Sequence, residues 1–364
     1  MLFVSCAPGL EPLVSSELDS LGLRGRATPG GVEFNGGMAE MFAANLWLRT
    51  ASRVLISAAA FHASSFHELE RRANQVPWET WLPKGERVRF RVTCRKSRLY
   101  HSDAVAERLG NAAAKRANAV ASDDEDAQLF VVRIFRDECT IRADSSGELL
   151  HRRGYRQSLA KAPLRETLAS AMLLASEWDL GSPLIDPFCG SGTIPIEAAL
   201  MARRIAPGIT RSFAFQRWPS HDQDQWNGIR GKAREAALQS APAMILASDR
   251  DEGAVRATIE NAERAGVAAD IDASVRPVSA VDLPSARGWV VTNPPYGVRI
   301  GERGELRNLY AGFGNALRRA GARYRLAILS ADRELEAQLR LDLEEVLRTT
   351  NGGIPVRLLV GEIE

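Results

Sequence analysis

From about residue 160 onward, short apolar runs alternate with stretches of helical period, and this alternation constrains the fold more than any other feature. Runs at 183–186, 243–248, 274–278, 289–292 and 326–330 read as strands. The stretch 193–204, the one ending at Ala265, 305–319 and 333–339 read as helices. Such an order indicates an α/β fold with a parallel sheet. The tail, 346–350 and 355–360 around Asn351-Gly352-Gly353, reads as a terminal hairpin. In open α/β sheets ligands sit outside the carboxyl ends of the strands. Those ends are where chemistry-bearing residues are sought.

One such end carries Asn293-Pro294-Pro295-Tyr296-Gly297, directly after Trp289-Val290-Val291-Thr292. The Asn amide has both donor and acceptor atoms. The prolines fix φ and remove N–H donors, so local carbonyls are free to face a ligand. The Tyr offers a flat face for a ring. Together these parts suit the exocyclic amine of a stacked base. Its two N–H groups would bond the Asn293 oxygen and the Pro294 carbonyl, leaving the lone pair aimed at an electrophile. Methyl transfer to such a nitrogen is an in-line displacement that creates little new charge, so positioning is the main requirement.

A second end carries Asp186-Pro187-Phe188-Cys189-Gly190-Ser191-Gly192, between a strand and a helix. Its glycines admit a ligand close to the backbone, and a helix N-terminus follows. The third glycine of a dinucleotide fingerprint is missing, because Ile194 and Pro195 fill that stretch. Asp186 disfavours a pyrophosphate and suits a cationic amine, so S-adenosylmethionine fits better than NAD. Asp249, at the end of the next strand, is the acid for ribose hydroxyls. It stands much further along than the usual ~20 residues. The excess, about 206–242, holds Phe213, Phe215, Trp218 and Trp226 among Arg211, Arg217 and Arg230. It reads either as an RNA-contacting or base-covering flap or as a packed structural insertion. Asp282 is either the adenine contact or a solvated loop acid. Cys189 lies in the cofactor loop and reads as a small filler, not as the nucleophile that carbon-5 pyrimidine methylation needs. The candidate cofactor residues are Asp186, Phe188, Gly190, Gly192, Asp249 and Asp282. The candidate catalytic residues are Asn293, Pro294, Pro295 and Tyr296.

A chain of 364 residues exceeds one typical domain. Two small α/β units precede the alternating region, at 1–55 and 56–155, with 156–364 as the third domain. No apolar run is long enough for a bilayer, and the N-terminus has no signal-peptide pattern. Four scattered cysteines fit a reducing cytoplasm, and five histidines form no metal constellation. A net charge of +2 means that any basic footprint is local. The strand Arg87-Val88-Arg89-Phe90-Arg91-Val92 alternates, giving one apolar and one arginine face. Arg95, Lys96 and Arg98 follow it, with Tyr100 and His101 beyond. A second cluster, His151-Arg152-Arg153-Gly154-Tyr155-Arg156, marks the junction to the third domain. Arg95, Lys96, Arg98, Arg152, Arg153 and Arg156 are candidate RNA contacts, set against the alternative of a solvated face.

The chain resembles the THUMP-domain guanine-N2 RNA methyltransferases, most closely the guanine-N2 half of the bacterial 23S rRNA large-subunit methyltransferase. The resemblance covers CAPGLEPLVSSEL, GGVEF, ANLWLRTASR, HRRGYR, APLRETLAS, DPFCGSGTIPIEAA, RIAPGI, SDRD and NPPYG. It implies an N-terminal ferredoxin-like domain, an RNA-binding THUMP domain and a Rossmann-like class I methyltransferase domain with a seven-stranded mixed sheet. It implies S-adenosylmethionine as cofactor and RNA as partner, with ribosomal RNA ahead of transfer RNA. The family usually has an acid where Ser279 stands, which leaves Asp282 as the candidate substitute. A transfer-RNA guanine-N2 methyltransferase, an adenine-N6 methyltransferase and a non-catalytic RNA-binding assembly factor remain as alternatives.

Overall fold

The computed structural model describes residues 1–157, 164–284, 287–296, 303–319 and 323–363. Gly297 of NPPYG and Ala162 and Pro163 of APLRETLAS lie outside the described residues. The chain forms two compact units. One holds Met1–Cys6, Val14–Leu150 and Arg211–Gly231, and the other holds Ala7–Leu13, His151–Thr210 and Lys232–Glu364.

The first unit is built from β1 (Leu2–Cys6), most of α1 (Glu11–Ser20), β2 (Gly25–Thr28), β3 (Gly31–Phe34), α2 (Met38–Trp47), β4 (Ala51–His62), α3 (Phe66–Ala73), β5 (Arg87–Arg95), α4 (Ser102–Ala117), β6 (Val120–Ala121), β7 (Gln128–Phe135) and β8 (Glu138–Asp144). Its eight strands make one sheet in the order β2-β3-β1-β4-β8-β7-β5-β6. The 12-residue β4 pairs with β1 on one side and β8 on the other, both antiparallel. The domain boundary expected at residue 55 therefore falls inside a strand shared by both N-terminal segments. The sequence hid β4 because Ala58-Ala59-Ala60 blurs the alternation and the register shifts between Ser57 and Ala59.

One face of this sheet is apolar by the period-two rule. Val132, Ile134 and Ile141 are fully buried there. Phe90 stacks on Phe130 at 5.5 Å and meets Trp78 edge-on at 5.7 Å. The arginine face of β5 is partly neutralised. Arg87 pairs with Asp124 and Asp126, and Arg89 donates to the Glu125 carbonyl at 3.1 Å.

The second unit contains α5 (Glu166–Ala175), β9 (Leu184–Asp186), α6 (Thr193–Ala202), the end of α7 (Gln223–Glu235), β10 (Ile245–Asp249), α8 (Glu252–Ala265), β11 (Ile271–Val275), β12 (Arg287–Thr292), α9 (Arg303–Arg319), β13 (Arg323–Ser330), α10 (Arg333–Gln338), β14 (Glu344–Asn351) and β15 (Ile354–Ile363). Its seven-stranded sheet runs β11-β10-β9-β12-β13-β15-β14. The pairs from β11 to β13 are parallel, while β15 is antiparallel to both β13 and β14. This is the mixed sheet expected. The strand expected at 274–278 sits at Ile271–Val275 instead, since Pro277 lacks an N–H for the ladder and opens a 3₁₀ turn. The strand order reverses at β9, flanked by β10 and β12. A crevice forms at the carboxyl end of such a switch point.

The insertion expected at about 206–242 divides between the units. Its stretch Arg211–Gly231 belongs to the first unit, where its rings are core. Phe42, Phe213, Phe215, His221 and Trp226 form one aromatic cluster, with Phe42 and Phe215 centroids 4.6 Å apart. Trp218 donates to the Gln128 side chain at 2.7 Å and meets the Trp81 ring at 5.1 Å. Of the two readings of this stretch, a packed structural insertion is the observed one. Rings buried this way are not available to cover a base.

Candidate active site

Three adjacent parallel strands bring their carboxyl ends together. Asp186 ends β9, Asp249 ends β10 and Thr292 ends β12. Thr292 Oγ1 donates to Asp186 Oδ1 at 2.7 Å, so the two motifs are joined by a hydrogen bond across 106 residues of sequence. Asp186 is 1% exposed. Burial, and after it the charge of Asp249, push its carboxyl up to about 7, against hydrogen bonds from Thr292 and the Phe188 N–H. Two carboxyl groups at neighbouring strand ends, that of Asp186 with its pKa raised, form a site that a cationic group would relax.

The loop after β9 is held from several sides. Gly190 N–H donates to Asp249 Oδ2 at 3.1 Å, and Cys189 N–H to the Ser248 carbonyl at 3.0 Å. Thr258 Oγ1 and Asn261 Nδ2, both on α8, each donate at 3.0 Å to the carbonyls of Gly190 and Ser191. Gly192 has φ +83°, and a Cβ there would stand 2.7 Å from Thr258 Cγ2. Gly190 has φ +54° with nothing within 4 Å of a built Cβ. The two glycines thus differ: Gly192 admits α8, whereas Gly190 leaves open space beside the backbone. Cys189 is buried, and burial raises its thiol well above the ordinary range, as a filler rather than a nucleophile.

Asn293 follows β12 directly. Its Oδ1 is buried with no hydrogen-bond partner among the described residues. A buried amide oxygen left without a donor costs about 1–3 kcal/mol, so this atom is poised for an incoming N–H. Pro294 is buried and Pro295 exposed. Tyr296 is half-buried against the apolar core that includes Tyr310, Phe313 and Leu359, as is Phe188. The Tyr296 hydroxyl accepts from Asn351 Nδ2 at 2.7 Å, which fixes the ring's tilt from the end of β14. These features fit an amino-acid-bearing nucleoside cofactor. Asp186 would face its cationic amine, the space at Gly190 would take its body, and Asn293 would meet the acceptor amine. Both Asp249 oxygens already accept backbone N–H groups, from Gly190 and Asp251, and keep lone pairs for ribose hydroxyls.

Sequence reasoning missed Thr292, Thr258, Asn261 and Asn351. Thr292, a polar residue closing an apolar strand directly before Asn293, was a readable signal. The other three looked like ordinary helix and turn residues. Asp282 is exposed on the loop between β11 and β12, and no hydrogen bond among the described residues ties it to the cluster. Arg95, Lys96, Arg98 and Arg152 are exposed. Two expected RNA contacts need correction. Arg153 is 3% exposed and faces Glu197, which also accepts from Tyr155 at 3.1 Å and Ser170 at 2.7 Å. Arg156 pairs with buried Glu166 at 3.2 Å and donates to the Leu164 carbonyl at 2.6 Å. Buried carboxylates demand these cations, which leaves them turned inward rather than toward a phosphate.

Residues 153–358 match the RMKL-like methyltransferase domain. The chain belongs to the RMKL-like methyltransferase family. The chain also matches the RlmL ferredoxin-like domain over 1–55 and the THUMP domain over 63–144. It is 37% identical to the ribosomal RNA large subunit methyltransferase K/L of Syntrophotalea carbinolica, over 98% of this chain but 53% of that protein. The chain therefore spans about half the length of that relative. It is 32% identical to a putative RNA methyltransferase of Synechocystis, over 99% of this chain and 96% of that one. Among solved structures, the putative methyltransferase SMU.472, complexed with SAH, superposes with TM-score 0.88 at 29% identity, over 99% of this chain and 97% of that one. The family and that neighbour support S-adenosylmethionine, the cofactor expected from the sequence.

Proposed function

We propose that this chain methylates the exocyclic N2 amine of a guanosine in RNA, with 23S ribosomal RNA ahead of transfer RNA, in the cytoplasm. The segments 1–55 and 56–155 hold the RNA, and 156–364 carries out the transfer. The observation that carries this reading is the buried Oδ1 of Asn293 just after β12, without a hydrogen-bond partner among the described residues and one strand from Asp186. The K/L relatives named for large-subunit ribosomal RNA support the choice of polymer.

S-adenosylmethionine supplies an electrophilic methyl on a sulfonium. Asp186 provides the negative field for its cationic amine, Asp249 accepts from its ribose hydroxyls, and Phe188, Gly190 and Gly192 provide the wall and floor. Asp282 is the proposed partner of the adenine amine. The Asn293 amide oxygen and the Pro294 carbonyl accept the two N–H groups of the target amine, leaving its lone pair free. Pro295 stiffens that turn, and Tyr296, steadied by Asn351, gives the base a flat surface. The product ammonium is acidic, so no strong base has to act beforehand.

Unmodified ribosomal and transfer RNA incubated with the protein and methyl-labelled cofactor, then analysed by nucleoside mass spectrometry, tests this. N2-methylguanosine is the expected product. N6-methyladenosine alone would favour an adenine enzyme, and no methylated nucleoside at all would favour an assembly factor. Asn293→Ala is expected to abolish transfer while RNA affinity stays near that of wild type. An unchanged rate would remove Asn293 from its assigned role.

A further inference from the structure

The seven-stranded sheet ends at β14, which lies at its edge beside β15. The β14 backbone is met by a piece of chain from the far end of the sequence. Ala7–Leu13 belongs to this second unit, although the residues on either side of it belong to the first. The piece is a closed turn. Leu10 N–H donates to the Ala7 carbonyl at 3.1 Å, Gly9 N–H donates to Glu11 Oε2 at 2.7 Å, and Leu10 is buried. Gly9 has φ +88°, and a Cβ there would run into the Arg348 carbonyl oxygen of β14 and stand 3.2 Å from its carbon. The turn therefore lies directly against the strand backbone at Arg348, an approach that needs a glycine.

Arg348 stands on a well-anchored rung. It is opposite Arg357 of β15, and Arg357 is opposite Ser330, the last residue of β13. Arg357 donates to both Glu336 oxygens of α10, at 2.7 and 2.6 Å, and Arg348 to both Glu345 oxygens, at 2.8 and 3.0 Å. Beyond this rung the hairpin runs past the end of β13 through the pairs Thr349 with Val356, Thr350 with Pro355 and Asn351 with Ile354. Its turn, Gly352-Gly353, takes φ +58° and +86°, and a Cβ on either would meet nothing within 4 Å. Asn351, about 10 Å along the strand from Arg348, is the residue of this overhang that donates to the Tyr296 hydroxyl. Gly9 thus supports the root of an overhang whose far end holds the ring assigned to the acceptor base. A close-packed strand does not absorb an added methyl group locally, so a shift at the root is passed along it.

We propose that Gly9 and Asn351 are positioning residues for methyl transfer. The turn Ala7–Leu13 sets the tilt of the β14–β15 overhang, and through Asn351 the overhang sets the tilt of the Tyr296 ring. Neither residue touches the methyl or the amine. Both act on the attack geometry, where a misplacement of about 1 Å costs up to ~10²-fold in rate. This inference rests on the reading of Tyr296 as the surface for the base.

The test is steady-state methyl transfer to unmodified ribosomal RNA by the full chain, with S-adenosylhomocysteine affinity measured alongside by calorimetry. Asn351→Ala and Gly9→Ala are each expected to lower kcat roughly tenfold while cofactor affinity stays near that of wild type. A double-mutant cycle decides whether they act on one element. The double variant is expected to be no slower than the slower single variant, and rates that fall by the product of both effects would overturn the link. Wild-type kcat in a Gly9→Ala chain that binds S-adenosylhomocysteine normally would overturn it too. So would a loss of cofactor affinity in step with kcat, which marks general damage. Where Gly9→Ala does not fold, Glu11→Ala removes the acceptor of the Gly9 N–H instead, with an expected loss of roughly threefold in kcat. Hydrogen exchange separates this inference from the enzymatic reading. Faster exchange at the Thr350 and Tyr296 amides is expected in Gly9→Ala, whether or not the RNA is a substrate. That change in a chain that, as wild type, transfers no methyl keeps the brace and sinks the enzymatic reading. Transfer by the wild type with unaltered exchange at both amides in the variant sinks the brace alone.

Discussion

Asp186 sits fully buried between a threonine hydroxyl and a second carboxylate, and its titration is the most informative single property of the candidate site. Its ordinary value is 3.8 and the folded chain holds it at about 7. The folded state therefore keeps a proton that the unfolded chain has already lost. Its contribution to stability falls as pH rises from about 4 to about 7 and is flat above that. His151, held down at about 4 by burial and then by neighbouring arginines, acts in the opposite sense between that value and 6.5. The readout is therefore the difference between wild type and Asp186→Asn in the cofactor-free protein. A cationic ligand favours the carboxylate, so S-adenosylmethionine affinity is expected to rise between about pH 6 and pH 8. Titration calorimetry should show weaker and nearly pH-independent binding for Asp186→Asn. A wild-type affinity that does not move over that range would separate Asp186 from the cation. The acid itself was legible in the sequence as the last residue of a strand before a glycine loop. Its proton was not, because burial and the nearness of Asp249 come from strand order.

At the scale of elements, the loop from Asp186 to Gly192 was legible as a strand-to-helix turn, while the way it is held was not. Thr258 and Asn261 reach it from α8, and in the sequence they are two polar residues inside an ordinary amphipathic helix. The contrast between the two glycines follows from that grip. Gly192→Ala would force a Cβ to within 2.7 Å of Thr258 Cγ2 at φ +83°. It is expected to cost about 1–3 kcal/mol of stability, read from thermal or urea melts. Gly190→Ala meets nothing within 4 Å. It carries only the left-handed backbone penalty, about 1 kcal/mol, but fills the space beside the backbone. Its S-adenosylmethionine affinity is expected to drop more than its stability. Wild-type affinity in Gly190→Ala would show that no ligand approaches there. The basic elements divide in the same way. The arginine run of β5 was plain in the sequence, yet Arg87 is engaged by the acidic loop at Asp124 and Asp126.

For the whole molecule, the sequence order and the physical units disagree in an instructive way. The stretch Arg211–Gly231 lies between two strands of the methyltransferase sheet in sequence but belongs to the unit of the eight-stranded sheet. Phe215 is fully buried there against Phe42 and Trp226. Phe215→Ala is expected to destabilise that unit by roughly 3–5 kcal/mol. Calorimetry with S-adenosylhomocysteine identifies the units, because a ligand raises only the transition of the unit that binds it. The substitution should lower the other transition and leave cofactor affinity unchanged. A matching loss in the ligand-responsive transition would place Phe215 in the wrong unit.

The sequence by itself determined the alternating α/β order, the two motifs at strand ends, the cofactor class they suit and the stock of surface cations. These are local properties, set by side-chain period and by the chemistry of adjacent residues. Only the tertiary structure decided that Thr292 bonds Asp186, that Arg153 and Arg156 turn inward, that the insertion's rings are core and that the guanidiniums of Arg133 and Arg136 lie over the Phe135 ring. Each depends on which distant carboxylate, ring or strand lies alongside. An arginine carries its charge wherever it stands, but the direction it faces is fixed by a partner far away in the chain.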